Sequence, residues 1–305
     1  MRVLVVTASP PFIEGGHLVI ARDLLAACRA AGHQADLVVT PQTRFGRQGA
    51  AYLAAWLTDV GVSADGAPVD QVISLRYPAF AVRHPRHTCW LNHTMREYYD
   101  LWPRFSASLS WKNTAKESIR RALVHRADKH FLHRGVSRRF TISSTVQARL
   151  GRWGAIDAEV LHPPAPLRPY RCDGYGDYIF TVSRLTALKR IDLLLEALAE
   201  PAAQGVRAVI AGDGEERGRL LEQRRRLGLE SRVEFVGRIT DAEMLDHYAR
   251  CRAVAFVPFD EDYGFVTVEA FAAGKAVITC GDSGGPTELV ADDVGIGKTV
   301  EACLI

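Results

Sequence analysis

The second half of the chain alternates short apolar runs with amphipathic segments, and this alternation constrains the fold more than any other feature. The apolar runs are typical of buried strands and lie at 178–182, 208–211, 233–236, 253–257 and 276–279. Helices are predicted between them at about 191–199, 215–227, 241–251 and 266–273, and a capping-box pattern from Thr240 to Glu243 marks the start of the third helix. Strands that alternate with helices predict an α/β fold with an open parallel sheet.

The first half begins with a strand–loop–helix–strand unit. The apolar run 4–6 predicts a strand, apolar residues at helical spacing follow the loop that ends at Gly16, and Gly32 is typical of a helix end. The run 35–40 predicts a second strand, which the right-handed crossover rule places parallel to the first. Further strands are predicted at 72–75, 89–91 and 139–143, and a helix at 111–131.

The length of the chain, 305 residues, predicts two domains, because single hydrophobic cores stop growing near this size. The stretch 161–170 contains four prolines, a composition typical of an interdomain linker. We therefore predict one Rossmann-like domain over 1–165 and a second over 166–290, followed by a tail over 291–305.

Composition narrows the class of protein. Hydrophobic residues make up 48% of the chain and charged residues 24%, and the net charge of +3 is too small to predict a nucleic-acid partner. The six cysteines are scattered without a CxxC pair, which favours reduced thiols over a disulfide scaffold or a zinc site. No segment has the roughly eighteen consecutive apolar residues of a membrane span, and the N-terminal run is too short for a signal peptide. We expect a cytoplasmic protein.

Charged side chains follow the predicted strands of the second half. Ligands of open parallel sheets bind beyond the carboxyl ends of the strands, so these loops are where chemistry is expected. Arg184 and Lys189 lie in the loop after the first of these strands and are suited to neutralise a pyrophosphate. Glu261 follows the fourth strand and Glu269 lies on the next helix; both are acceptor-only groups suited to hold sugar hydroxyls.

Glycine-containing segments complete this set of loops, because glycine lets backbone N–H groups approach an anion near a helix N-terminus. The segments are Gly15-Gly16, Gly212-Asp213-Gly214 and Gly264-Phe265-Val266. Together with the cations and carboxylates, they suit a diphosphate ester that carries a sugar.

The spacing of Glu261 and Glu269, with Gly264-Phe265 between them, resembles the signature of the retaining GT-B glycosyltransferases of family 4, the glycosyl transferases group 1. The resemblance covers roughly residues 1–290 and continues through Val182-Ser183-Arg184-Leu185, Gly212-Asp213-Gly214, Phe235-Val236-Gly237 and Gly284-Gly285-Pro286. It implies two facing Rossmann-like domains, a nucleoside-diphosphate sugar as donor, and neither a cofactor nor a catalytic metal.

The resemblance also implies roles for individual residues. Arg184 and Lys189 would bind the donor diphosphate and stabilise the leaving nucleotide, Glu261 would bind donor-sugar hydroxyls, and Glu269 would bind the ribose. The glycine-containing segments named above, with Phe265 and Val266, would supply further donor contacts. The counterpart of the family's active-site histidine is His93, in a region without a sharp motif.

Two other patterns have simpler interpretations. His84, His87, Cys89 and His93 have partly metal-like spacing, but no second cluster completes a tetrahedral set, so no metal site is predicted. Residues 281–286 spell GDSGGP, the string around the nucleophile of chymotrypsin-like proteases. Those proteases are all-β, so we interpret the string in this α/β chain as a coincidence.

Residues 112–139 contain nine Lys or Arg residues against two acidic ones. A solvated helix face is the simpler interpretation. The alternative is a patch for anionic lipid or an anionic acceptor, which would place the protein peripherally at the inner face of a membrane.

The tail resembles the first ATPase motif of helicase-like remodelling ATPases. It contains Gly297-Lys298-Thr299, but Asp292 stands where a P-loop has its first glycine, and only six residues follow Thr299. We expect no ATPase activity from it. We interpret the tail as foreign to the glycosyltransferase, whose second domain is then truncated.

The leading hypothesis is a hexosyl-type glycosyltransferase that acts, with retention, on a carbohydrate, lipid-linked or other small acceptor. Two alternatives stay open: a nucleotide-sugar-binding protein whose catalysis is impaired by the truncation, and a helicase-like ATPase fragment.

Overall fold

The computed structural model describes residues 1–12, 15–42 and 45–291. The chain divides into two compact units, Met1–Pro163 and Pro164–Ile305. The division falls inside the proline-rich stretch that the sequence predicts as a linker. The predicted tail, with its resemblance to an ATPase motif, lies outside the described residues from position 292 onwards.

The first unit is built on a parallel sheet of six strands. The strands are β1 (Arg2–Ser9), β2 (Gln34–Pro41), β3 (Gln71–Ser74), β4 (His87–Leu91), β5 (Arg138–Thr141) and β6 (Glu159–Val160), and their order across the sheet is β2-β1-β3-β4-β5-β6. The helices are α1 (Gly16–Ala30), α2 (Gln48–Leu57), α3 (Trp102–Ala107), α4 (Trp111–Arg134) and α5 (Ser144–Gly154). Four consecutive residues of β1, from Val5 to Ala8, are fully buried, as expected where helices cover both faces of a parallel sheet.

The second unit is built on a parallel sheet of five strands. The strands are β7 (Tyr178–Val182), β8 (Arg207–Ala211), β9 (Val233–Gly237), β10 (Ala253–Ala255) and β11 (Ala276–Ile278), in the order β11-β10-β7-β8-β9. The helices are α6 (Ile191–Ala199), α7 (Arg217–Arg226), α8 (Asp241–Arg250), α9 (Phe265–Ala272) and α10 (Gly285–Ala291). Two apolar clusters, one centred on Leu195 and Ile210 and the other on Phe180 and Tyr248, fill the two sides of the sheet.

The strands and helices predicted from the sequence are confirmed, with bounds that differ by at most three residues. The capping box at the start of α8 is also confirmed: Thr240 Oγ1 accepts a hydrogen bond from the Glu243 backbone, and the Glu243 carboxylate accepts one from Thr240 N at 2.7 Å. The sequence analysis did not predict the helices α2, α3, α5 and α10 or the strand β6. Strand β6 has two residues and forms only by pairing with β5.

Strand order also locates the crevice of each sheet. In the first unit the chain builds outward from β1 to β2 and then reverses to β3 on the other side of β1. In the second unit it builds from β7 through β8 to β9 and then returns to β10 on the other side of β7. Ligands of open α/β sheets bind at such reversals, beyond the carboxyl ends of the strands. We therefore expect a donor site at the reversal between β7 and β10.

The inner face of α4 carries a carboxyl group. Asp128 is buried and accepts hydrogen bonds from the hydroxyls of Tyr52 and Tyr99, the second at 2.6 Å. Burial raises the pKa of Asp128 to about 7, although the two tyrosine hydrogen bonds act in the opposite direction. Asp128 therefore titrates near neutral pH while holding α4 against α2.

The raised pKa of Asp128 makes stability depend on pH. Between about pH 4 and pH 7 the folded chain keeps this proton and the unfolded chain loses it, so the free energy of unfolding falls as pH rises through this window. Between these pH values we expect the free energy of unfolding of Asp128→Asn to fall by up to about 4 kcal/mol less than that of wild type, because an amide cannot ionise. Urea denaturation at several pH values measures the difference between the two proteins.

The matched control is Asp65→Asn. The side chain of Asp65 is exposed and accepts hydrogen bonds from Arg2 and Ser63, which lower its pKa. Its contribution therefore has the opposite sign: stability is present above about pH 4 and is lost as pH falls. A pH profile that is the same for wild type and Asp128→Asn would contradict the proposed ionisation.

Within the described residues, no helix combines the length and the apolar character that crossing a bilayer requires.

Candidate functional site

The loops after β7 and β10 meet at the reversal of the second sheet. Lys189 Nζ, at the end of the first loop, donates a hydrogen bond to Glu261 Oε2 in the second at 2.7 Å. The backbones are joined as well, since Phe259 N donates to Leu188 O at 2.8 Å. The ammonium of Lys189 also lies 5.1 Å from the centre of the Phe256 ring. Two of the predicted site residues are thus in direct contact at the position that the strand order indicates.

Arg190 fixes the same two loops in place. Its backbone is left-handed, with φ of +49°, and its guanidinium donates to Val257 O and Pro258 O, both at 2.8 Å. The guanidinium also binds both carboxylate oxygens of Asp282, at 2.8 and 2.6 Å, which lowers the pKa of Asp282. Because Asp282 follows β11, this one side chain connects the loops after three strands. The sequence analysis missed both residues, although Arg190 stands next to Lys189.

The GDSGGP string lies against the loop that carries Glu261. Glu261 N donates to Ser283 O at 2.8 Å, and Gly285 N donates to Glu261 O at 2.9 Å. Gly284 has φ of +75°, and a Cβ atom there would lie 2.6 Å from Glu261 O. Ser283 is buried, and its hydroxyl accepts from Cys280 N at 3.2 Å. The glycines therefore permit close packing of two loops, and Ser283 has a structural role rather than that of an accessible nucleophile.

Glu269 lies on α9 and has partners of its own. Arg168 Nη1 donates to Glu269 Oε1 at 2.7 Å, and the Tyr248 hydroxyl donates to Glu269 Oε2 at 2.9 Å. Burial raises the pKa of Glu269, and the hydrogen bond from Tyr248 and the charge of Arg168 oppose this. Each oxygen can accept a further hydrogen bond, so Glu269 is an oriented acceptor. The sequence analysis did not single out Arg168 or Tyr248 as partners of Glu269.

Helix α9 begins at Phe265, shortly after Glu261 in the chain. Gly264 is its N-cap and has φ of +87°, and a Cβ atom there would lie 2.7 Å from Pro286 and 2.9 Å from Phe256. The first turn, which includes Phe265 and Val266, contains no acidic residue. The N–H groups of a first helical turn have no acceptors within the helix, so this end of α9 is suited to an anion.

The loops after β7 and β8 are packed backbone against backbone. A Cβ atom on Gly212 would lie 1.8 Å from Ser183 O, and one on Gly214 would lie 2.3 Å from Leu185 O. Both positions therefore require glycine for packing, whatever they bind. Arg184 lies between these contacts and its side chain is exposed, unlike the half-buried Lys189.

The predicted site residues of the first unit lie beyond β1 and β4. Gly15 is the N-cap of α1 and Gly16 is its first residue. His93 follows β4 and is half-buried, with Nδ1 2.6 Å from Thr94 O. The preceding residue, Asn92, is buried, and neither its amide nitrogen nor its amide oxygen has a hydrogen-bond partner among the described residues. Asn92 is a polar group that the sequence analysis did not single out.

The histidines that precede His93 are held by protein groups. His84 lies within hydrogen-bond distance of Val69 O and Arg86 O, and His87 lies 2.8 Å from Ser74 Oγ and 2.9 Å from Gly135 O. Burial lowers the pKa of His87 to about 4, so this ring is neutral at physiological pH. In the part of the chain that the structure describes, no three His, Cys, Asp or Glu side chains are placed to hold a metal ion.

A family model matches most of the second unit. Residues 171–302 match the family model described as glycosyl transferases group 1. The match contains the loops after β7 to β11 and extends past residue 290 into the segment outside the described residues. It supports the group 1 glycosyltransferase family for the second unit.

Two curated relatives match the chain over about a third of its length. The phosphatidylinositol N-acetylglucosaminyltransferase gpi3 subunit of Schizosaccharomyces pombe is 35% identical over 113 residues, which are 36% of this chain and 25% of that protein. The D-inositol 3-phosphate glycosyltransferase of Mycolicibacterium smegmatis is 34% identical over 118 residues, which are 37% of this chain and 26% of that protein. The chain therefore spans about a quarter of the length of these curated relatives.

Solved structures extend the likeness to both units. Anabaena HepE, crystallised in complex with UDP and glucose, superposes with a TM-score of 0.63 at 21% identity, and the alignment covers 93% of this chain and 82% of that one. At this identity the likeness shows the fold, which is that of the GT-B glycosyltransferases. The predicted fold class, with two Rossmann-like parallel sheets, is confirmed.

Proposed function

We propose that this chain is a retaining glycosyltransferase that transfers a hexosyl group from a nucleoside-diphosphate sugar to a carbohydrate, lipid-linked or other small acceptor. The observation that carries the proposal is the contact between Lys189 and Glu261 across the reversal of the second sheet. A cation and a carboxylate suited to bind hydroxyls lie there, and the acid-free N-terminus of α9 follows Glu261 closely in the chain. A cation, a hydroxyl acceptor and free N–H groups are the three features that suit a sugar diphosphate.

The donor diphosphate is proposed to bind Lys189, Arg184 and the N–H groups at the start of α9. When the anomeric C–O bond breaks, negative charge grows on the departing diphosphate, so fixed cations and N–H groups lower the barrier without a metal ion. Lys189 is already held in place by Glu261, so little reorganisation is required. Arg184 is exposed and would come to rest on the phosphate only when the donor binds.

The two glutamates are proposed to hold opposite ends of the donor. Glu261 lies against Lys189 and would accept hydrogen bonds from sugar hydroxyls, whereas Glu269, oriented by Arg168 and Tyr248, would accept them from the ribose. The glycines of the β8 loop and the Gly15-Gly16 segment would supply close backbone approach to the donor. His93 is proposed to act on the acceptor side.

A thermal-shift screen of nucleoside diphosphates and their sugars tests the proposal. A ligand that binds only the folded state at a hundred times its Kd adds about 2.7 kcal/mol to the free energy of unfolding. UDP and UDP-glucose are the first ligands to try, because HepE was crystallised with both. We expect at least one nucleotide to raise the melting temperature of wild type and to have a much smaller effect on Lys189→Met.

The control is Arg217→Gln, which removes an exposed cation from α7. This variant should keep the full nucleotide shift. If no nucleotide or nucleotide sugar stabilises the folded wild-type chain, or if Lys189→Met keeps the same shift, the proposed donor site is wrong.

A further inference from the structure

The outer surface of α4 is cationic. The helix has two acidic residues, and both are buried: Glu117 accepts from the Tyr98 hydroxyl at 2.6 Å, and Asp128 accepts from Tyr52 and Tyr99. The exposed charged residues of α4 are Lys112, Lys116, Arg126, Lys129 and Arg134. Glu117 also pairs with Arg120, which is only partly exposed. Among the described residues no carboxylate of α4 pairs with the five exposed cations, in contrast to helices whose surface alternates in sign.

The same helix exposes large apolar side chains. Trp111 is 77% exposed, Ile119 is 66% exposed and Leu123 is 63% exposed. Steps of three and four residues share one face of a helix, so Ile119 and Leu123 continue the row that Lys112 and Lys116 begin and Arg126 ends. We call Lys112, Lys116, Ile119, Leu123 and Arg126 the α4 stripe.

The mixture of cations and apolar side chains in the α4 stripe indicates which kind of partner it can bind. A surface that faces only water gains nothing from exposing Ile119 and Leu123. A soluble polyanion, such as a nucleic acid or an acidic polysaccharide, would use the cations but not the aliphatic side chains. An anionic bilayer uses both, because phosphate headgroups pair with Lys and Arg while apolar side chains enter the boundary of the acyl chains.

We propose that the α4 stripe docks this chain on an anionic lipid surface. The inference goes beyond sugar transfer and does not rest on it. The helix has 24 residues and is about 36 Å long, and its charged residues would keep it along the membrane plane rather than across it. Val124, Asp128 and Leu132 hold its opposite face in the unit, so docking requires no refolding of the helix.

Vesicle sedimentation with the full chain tests how much the cations of the α4 stripe contribute to lipid binding. We expect binding to vesicles in which about a third of the lipid is phosphatidylglycerol and little binding to phosphatidylcholine alone. Binding should weaken steeply as salt rises from about 0.05 M to about 0.5 M, because the Debye length shortens several-fold. Lys112→Gln with Lys116→Gln should weaken binding about 30-fold, at about 1 kcal/mol per cation near the surface.

The matched control removes two cations from another helix. Arg217→Gln with Arg226→Gln changes the net charge of the chain by the same amount, and both residues are exposed on α7. This pair should bind anionic vesicles nearly as wild type does. Equal losses for the two pairs would show a general charge effect and overturn the assignment to α4.

A second experiment tests the contribution of the apolar side chains of the α4 stripe. Ile119→Ser with Leu123→Ser should weaken binding to anionic vesicles by about tenfold or more while leaving binding to a soluble polyanion such as heparin unchanged. Brominated lipid should quench tryptophan fluorescence in wild type, and Trp111→Phe should remove most of that quenching. Equal vesicle binding by the serine pair and wild type would overturn the proposal. So would a concentration-dependent dimer that the serine pair abolishes, since a second copy would then cover the stripe.

Discussion

Replacing Lys189 by methionine is expected to lower turnover by about 100- to 1000-fold. The ammonium of Lys189 lies 2.7 Å from Glu261 at the reversal of the second sheet, and the proposed mechanism places it on the diphosphate where negative charge grows. Losing one such fixed group costs about 3–4 kcal/mol of transition-state stabilisation. Nucleoside-diphosphate release from the donor that the thermal-shift screen identifies measures the rate.

The separate changes in kcat and KM show whether Lys189 acts on the bound donor, on the transition state or on both. A group that acts only on the transition state lowers kcat with little change in KM, whereas a group that binds the ground state raises KM. Because Lys189→Met is also expected to weaken nucleotide binding, both a lower kcat and a higher KM for the donor are expected. Lys189→Arg keeps the charge and should recover part of the activity, and Arg217→Gln on the surface of α7 should have no effect. Full turnover by folded Lys189→Met would show that the cation has no part in the chemistry.

Replacing Gly212 by alanine is expected to cost more than about 4 kcal/mol of stability or to prevent folding of the second unit. The added Cβ atom would lie 1.8 Å from Ser183 O, and φ of +126° at Gly212 is a conformation that side chains rarely adopt. The clash is with backbone, so it cannot be relieved by rotating a side chain. The loop after β7, which carries Lys189, would have to move.

Gly218→Ala provides the control for this prediction. Gly218 lies in α7, and a Cβ atom there would meet nothing within 4 Å. Alanine should therefore stabilise that helix by about 0.5–1 kcal/mol. Chemical denaturation compares the two variants with wild type, and soluble yield provides a second measure if Gly212→Ala does not fold. Similar stability for the two alanine variants would mean that the loops after β7 and β8 are not packed as described.

The strands and helices that were predicted correctly each have a pattern that lies within the element itself. A strand buried on both faces must be apolar along its whole length, and a helix packed on one face must repeat its apolar residues every three to four positions. Both patterns can be recognised without knowing which elements are neighbours. The same holds for the site loops, since Lys189 and Glu261 follow predicted strands and parallel strands end at one edge of a sheet.

The residues that the sequence analysis missed have partners far away in the chain. Arg190 binds Asp282, 92 positions later, and Arg168 binds Glu269, 101 positions later. No periodicity connects such pairs, because each depends on which strands become neighbours. The same limit applies to the charges of α4: the sequence shows nine Lys or Arg residues against two acidic ones over 112–139, but not that Glu117 and Asp128 both point inward.

The sequence alone determined most of the strands and helices, including every strand of the second sheet, and the loops that carry the candidate chemistry, because apolar periodicity and the residues that follow each strand are local properties. Tertiary structure alone decided which cations neutralise which carboxylates. Lys189 contacts Glu261, Arg190 holds Asp282 and Arg168 orients Glu269, since a charge finds its partner through the packing of distant loops and the low dielectric constant around buried groups.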